Sequence, residues 1–203
     1  MGKRESRASV SKLTRSFYIQ PTLKVAKDLL GKYIVRYWRN KYIVGKIVET
    51  EAYIGPKDRA AHSFGGKITP RNKVEYLIGG YVYIYLVYGM YWQFNITTAH
   101  KGKPECVLIR ACQPICNQKH LSFKKLVNLA NGPGKLCRYF HLNRSFYGED
   151  LVTSARLWLE DRGEKVSPGK IVKTTRIGID YAKEWAKKPW RFYISENPFV
   201  SRL

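Results

Sequence analysis

Acidic residues are scarce in this chain. Against 37 Lys and Arg side chains stand only 15 Asp and Glu, a formal charge of +22 over 203 residues. The imbalance is not a tail, because each successive stretch of fifty residues keeps a basic excess. Such an excess goes beyond what solubility needs and calls for an acidic partner, nucleic acid first. Long hydrophobic runs are missing too. The most apolar stretch, Tyr81 to Ile96, is broken by Gly89, Gln93 and Asn95, so a membrane helix is not expected. The basic start, Met1 to Leu13, lacks the apolar run of a signal peptide. Tight cysteine pairs are also few. Cys112 and Cys116 are four apart, Cys106 and Cys137 stand alone, and the four histidines are scattered. No metal site or other cofactor is expected from that spacing, and reduced thiols in an intracellular protein are the simplest reading.

What is present is enough for one folded unit. Hydrophobic residues make up 44% of the sequence, and the length suits one domain. Residues 1–15 read as a flexible basic arm and 16–203 as a single domain. Thr22 is placed to cap a helix through Leu30, with Gly31 as its stop. Tyr33–Trp38 and Tyr42–Tyr53 read as two strands around a turn at Arg39-Asn40-Lys41. Gly55–Asn72 lacks periodicity and reads as a long structured loop. A short helical piece at Lys73–Leu77 leads to strands at Tyr81–Val87, Tyr91–Thr98 and Cys106–Arg110. Further on, Ser122–Ala130, Lys135–His141 and Asp180–Lys187 read as helices, and Leu151–Leu159 and Arg191–Ile194 as strands. The fold class expected is mixed α/β with a mainly antiparallel sheet.

Two segments carry chemistry. On a strand from Ile47, alternation puts Ile47, Glu49, Glu51 and Tyr53 on one face and Val48, Thr50 and Ala52 on the other. A carboxylate beside an aromatic ring suits a general base in a cleft. It equally suits an ion-pair partner for one of the many cations. Tyr76 to Asn95 then holds six of the fifteen tyrosines, at 76, 81, 83, 85, 88 and 91. Alternating rings make a stacking platform for bases or an aromatic core. Tyr88, at a turn with Gly89, is placed to project as a wedge.

These blocks resemble the methylpurine (alkyladenine) type of 3-methyladenine DNA glycosylase, from about Thr22 to Ser201. The match is carried by Glu49-Thr50-Glu51-Ala52-Tyr53, Ala61-His62-Ser63, Thr69-Pro70-Arg71-Asn72, Tyr88-Gly89-Met90-Tyr91, Asn95-Ile96, Val107-Leu108-Ile109-Arg110 and Gly132-Pro133-Gly134-Lys135-Leu136. The resemblance implies that Glu51 activates the hydrolytic water, with Arg110 and the carbonyl of Ile177 helping to hold it. It implies that Tyr53, His62 and Tyr85 enclose a flipped base and that Asn95 excludes guanine. Tyr88 would fill the gap in the duplex, beside Met90. Lys67 and Arg71 are assigned to DNA phosphates. The expected reaction is hydrolysis of the N-glycosidic bond of 3-methyladenine, hypoxanthine or ethenoadenine in double-stranded DNA, by a monomer without lyase activity. The competing expectation is a non-catalytic module that binds damaged or distorted nucleic acid. The expected place of work is cytoplasm or nucleoid, or the nucleus of a eukaryotic host.

Overall fold

A computed structural model describes residues 10–116 and 121–202. Its backbone is a mostly antiparallel sheet of nine strands flanked by short helices. The strands are β1 (Ser11–Lys12), β2 (Tyr33–Trp38), β3 (Lys41–Ile54), β4 (Val82–Val87), β5 (Tyr91–Thr97), β6 (Glu105–Ile115), β7 (Leu157–Asp161), β8 (Ile171–Thr174) and β9 (Arg191–Ile194). Their order is β1-β7-β2-β3-β6-β5-β4, and β9 joins β3 to β8. The helices are α1 (Arg15–Tyr18), α2 (Thr22–Asp28), α3 (Phe123–Val127) and α4 (Pro133–Tyr139).

The central strand is β3, which pairs with β2, β6 and β9. It begins at a two-residue turn in which Arg39 and Asn40 both take positive φ, the geometry that matches the twist of a hairpin. The main core lies under one face of the sheet. There Val25, Ala26 and Leu29 of the α2 region meet Ile47 and Ala52 of β3, Phe94 and Ile96 of β5, and Leu136 and Phe140 of the α4 region.

Several expectations change here. The strict alternation along β3 is broken by a bulge, where the register against β6 shifts on both sides of Glu49. One extra residue reverses the facing of everything before it. Ile47 therefore joins Thr50 and Ala52 on the α2 side, where Thr50 Oγ1 donates to the carbonyl of Ala26. Val48 instead packs with Ala111, Phe199 and Val200 beneath the C-terminal segment. Glu49, Glu51 and Tyr53 remain on that same side.

Thr22 does not cap α2. Its hydroxyl bonds the side chains of Thr98 and Glu105 from the end of the helix, and Pro21 occupies the capping position. The strand expected at Leu151–Leu159 is confined to Leu157–Asp161. Before it, Asp150 accepts the amide of Val152, and Ser154 Oγ accepts those of Arg156 and Leu157, taking donors a strand would pair. Asp180–Lys187 is a 3₁₀ segment interrupted at Lys183, whose φ is +55°. Residues 11–15, read as part of a flexible arm, are docked. Ser11 and Lys12 pair with β7, Leu13 is buried, and Arg15 bonds Asp150. The rest of the arm, residues 1–9, lies outside the described residues.

Candidate active site and DNA-facing surface

The C-terminal half of β3 carries Glu51 into a wholly buried position. Its Oε1 accepts the backbone N–H of Ile177 at 2.9 Å and lies 3.2 Å from Nη1 of Arg110. Its Oε2 accepts the Tyr53 hydroxyl at 2.7 Å. Arg110 comes from β6, across the ladder from β3. Its Nε donates to Glu49 Oε1 at 3.0 Å, and its Nη2 reaches Ser201 Oγ at 3.4 Å. Burial alone would lower the pKa of this guanidinium, but Glu51 and Glu49 outweigh it and hold it above its ordinary value.

Glu49 is the anchor beneath this pair. It also takes Nη1 of Arg191 at 2.8 Å, Oγ of Ser201 at 3.0 Å and the Ser201 amide at 2.7 Å. Alternation along β3 already sets Glu49 on the same side as Glu51, where one guanidinium spans both carboxylates.

Tyr53 connects this cluster to an aromatic cavity. Arg176 stacks over its ring, with the guanidinium 4.7 Å from the ring centre. That arginine is locked by a two-pronged pair with Asp58, at 2.5 and 2.9 Å, both side chains fully buried. Asp58 in turn accepts the amides of Ile54 and Ala60. The long loop after β3 is thereby tied to the residue that precedes Ile177. Burial and the neighbouring Glu51 hold the Tyr53 hydroxyl well above its ordinary pKa.

The cavity is lined by Tyr53, His62, Tyr83, Tyr85, Asn95, Cys106 and Glu75 among others, and encloses only about 10 Å³. That is room for about one water molecule. The His62 and Tyr85 rings stand edge to face with centres 4.5 Å apart, closer than a base sandwiched between them would allow. A purine can enter only if the rings part. A larger open depression of about 930 Å³, lined by Phe17, Leu30 and Val166 among others, shares no lining residue with it. The carboxylate–arginine chemistry sits beside the small cavity, so size does not decide between them.

His62 is exposed at the mouth, but its Nδ1 side is enclosed, 2.6 Å from the Tyr83 hydroxyl. Desolvation there, with the charge of Arg71, pushes its pKa down to about 4. Asn72 fixes the loop by donating to the carbonyls of His62 and Lys67. Asn95 is buried on β5, and its amide nitrogen donates to the Gln93 carbonyl at 3.2 Å. Among the described residues no group of three or more His, Cys, Asp or Glu side chains is arranged to hold a metal ion.

The β4–β5 hairpin supplies an exposed edge. The amide of Met90 donates to the carbonyl of Val87, and Tyr88 and Gly89 between them have φ of +53° and +66°. This is the primed turn of a tight hairpin. A bulky residue with positive φ is an outlier, and here it holds out a ring that is 84% exposed. Met90, Tyr91 and Leu86 are exposed around it. Arg71 lies over the Tyr85 ring, 4.9 Å from its centre, and reaches the Leu86 carbonyl.

The residues singled out from the sequence thus fall into three adjoining groups. Glu51, Arg110 and Ile177 meet at one carboxylate, where the contact from Ile177 is its amide. Tyr53, His62, Tyr85 and Asn95 line one cavity. Tyr88 and Met90 share one turn, while Lys67 is exposed on the loop and offers the fold its carbonyl. Asp58, Arg176 and Glu75 were given no role, and Glu49 and Tyr83 were named only as members of a strand face and of a run of rings. Arg176 adjoins Ile177 in the sequence and Glu49 begins the Glu49–Tyr53 block, so adjacency was the available signal.

Comparison with known proteins agrees with this geometry. The methylpurine-DNA glycosylase family profile matches residues 16–198. A protein of Alkaliphilus oremlandii is 45% identical over 203 residues, covering 94% of this chain and 99% of its own. One from Borreliella burgdorferi is 46% identical over 191 residues, covering 94% and 100%. One from Methanocella arvoryzae is 46% identical over 195 residues, covering 94% and 96%. All three carry the name 3-methyladenine DNA glycosylase. With the family profile spanning nearly the whole sheet and both halves of the carboxylate–arginine cluster, the chain belongs to the methylpurine-DNA glycosylase family, hydrolases that cut the N-glycosidic bond in DNA.

Proposed function

We propose that this enzyme takes one damaged purine out of duplex DNA, holds it in the cavity beside Tyr53, and hydrolyses its bond to deoxyribose at Glu51. The observation that carries the reading is the continuous contact from cavity to carboxylate. Tyr53 lines the one and bonds the other.

The chemistry follows from the parts. As the bond between C1′ and the base nitrogen breaks, its electron pair leaves with the base and positive charge builds on the sugar. Glu51 stabilises that charge and orients a water for attack on C1′, then takes the proton the water gives up. Arg110 and the Ile177 amide hold the carboxylate in place. Extrusion of the nucleotide costs a few kcal/mol of unstacking, least for damaged or mispaired bases. Tyr88 fills the vacated space, and the basic surface grips the backbone. No lysine forms a covalent intermediate in this scheme, so the product is an unbroken abasic strand. One chain carries every named part, and the enzyme acts as a monomer.

The test is base release from duplexes carrying one 3-methyladenine, hypoxanthine, ethenoadenine or unmodified adenine, with Glu51→Gln as control. Release of modified bases by the wild type alone supports the reading and ranks the lesions. Tight binding with no release of any of them would make the protein a damaged-DNA binder.

A further inference from the structure

The 3₁₀ turn Lys73–Tyr76 packs against β4, β5 and β6. It delivers Glu75 to the wall of the aromatic cavity with 1% of its surface exposed. Its Oε1 has the Cys106 thiol at 3.5 Å, a weak donor. Its Oε2 has no hydrogen-bond partner among the described residues. The groups facing the cavity are Tyr53 from β3, Tyr83 and Tyr85 from β4, Asn95 from β5, Cys106 from β6 and His62 from the loop. Tyr76 and Tyr147 lie close enough to feel its charge. None of these is cationic at neutral pH, since the pKa of His62 is pushed down to about 4. The guanidinium at the mouth, Arg71, is engaged with the Tyr85 ring and the Leu86 carbonyl.

A buried carboxyl without a counter-charge is a costly wall. An apolar residue of the same size would pack there without that cost. Desolvation raises the Glu75 pKa to about 8, so the empty cavity holds it mostly protonated at neutral pH. What the cavity lacks is a cation. Methylation of adenine at N3 in DNA gives the purine ring a formal positive charge. Hypoxanthine and ethenoadenine are neutral near pH 7.

We propose that Glu75 is a specificity-determining residue that supplies the counter-charge for the cationic ring of an N-alkylated purine, so that the cavity favours methylpurines over neutral lesions. This rests on the reading that the extruded base occupies this cavity. The protons balance. Entry of the cationic base releases the carboxyl proton to solvent and leaves a carboxylate beside the ring. Bond cleavage returns the electron pair to the base and neutralises it. The carboxylate, again without a partner, takes a proton back, and the product loses its hold.

The experiment measures kcat/KM for release of 3-methyladenine from dimethyl-sulfate-treated duplex DNA and of hypoxanthine from a duplex oligonucleotide. Wild type, Glu75→Gln and Glu75→Asp are compared between pH 6 and 8.5. Glu75→Gln keeps shape and loses charge. It should lose about tenfold or more on 3-methyladenine and change little on hypoxanthine, since a charge-assisted contact is replaced by a neutral one. Glu75→Asp should keep a preference for 3-methyladenine. The wild-type rate on 3-methyladenine should rise with pH toward about 8, and the Gln variant should lack that limb. Equal losses on both substrates would make Glu75 a structural wall and overturn the proposal. A loss confined to hypoxanthine would make it a proton donor to a neutral leaving base and overturn it too. No release by the wild type would instead sink the glycosylase reading of the cavity, and this inference with it.

Discussion

Nη1 of Arg110 stands 3.2 Å from Oε1 of Glu51, while Nε of the same guanidinium donates to Glu49 at 3.0 Å. One cation therefore holds two carboxylates that serve different ends. Glu51 faces the cavity through Tyr53, and Glu49 faces the C-terminal segment through Ser201. Glu51→Gln keeps the shape of the side chain and one acceptor oxygen for the Ile177 amide, while its NH2 meets the Tyr53 hydroxyl, which can turn to accept. It should fold normally, bind damaged duplex, and lose at least about a hundredfold in base release, the usual worth of a positioned base. Single-turnover release and gel-shift binding on the same preparation check both halves.

Glu49 should behave differently. Its removal leaves Arg110 and Arg191 buried with less counter-charge, and breaking such a network from one side costs about 3–5 kcal/mol. Glu49→Ala should therefore lower the urea midpoint strongly. Glu49→Gln should fold better and still release base slowly, because Arg110 is then steadied from one side only. A fully stable Glu49→Ala variant would show that the anchor is unnecessary.

The contrast between these neighbours bears on what the sequence could reveal. Alternation along β3 was enough to place Glu51 with Tyr53, because residues two apart share a face wherever pairing is regular. The bulge at Glu49 has no side-chain signature of its own, so the facing of Ile47 and Val48 came out reversed. Glu75 was hidden for another reason. Lys73–Leu77 reads only as a short helical piece, and the burial of Glu75 comes from distant segments, β4, β5 and β6 with Tyr53 and His62, that no local pattern reveals. The Asp58–Arg176 pair spans 118 positions, and no local pattern encodes such a distance. The resemblance gave a role to Ile177 and none to the arginine beside it in the same block, whose work is to tie the loop and carry the Tyr53 ring.

Tyr88 separates conformation from binding. Its ring is 84% exposed and its φ is +53°. A non-glycine residue in that region is strained, and glycine is not. Tyr88→Gly should therefore leave thermal stability equal or slightly raised while weakening binding to lesion-bearing duplex. Tyr88→Ala should weaken binding as much without the relief. Equal lesion affinity in both variants and wild type, measured at one salt concentration, would remove the ring from the interface.

Stability against pH gives an independent reading of Glu75. The sign follows from the two pKa values. Unfolded, its carboxyl titrates near 4.5; folded, near 8. Between those values the folded state binds the extra proton, so this group makes folding progressively less favourable as pH rises, by about 1.4 kcal/mol per unit at most. Below the lower value it imposes no penalty, and above the upper one the penalty is complete. His62 acts in the other direction and in another window. Its pKa of about 4 when folded lies below the ordinary 6.5, so its share of stability is present above pH 6.5 and lost as pH falls toward 4. Wild type should therefore lose melting temperature between pH 6.5 and 8, where His62 no longer changes. Glu75→Gln removes the titrating group and should flatten that limb, gaining on wild type at pH 8 and little at pH 5. Parallel curves for the two proteins from pH 5 to 8 would mean that Glu75 is already ionised in the folded enzyme, paired with a group that this cavity does not contain.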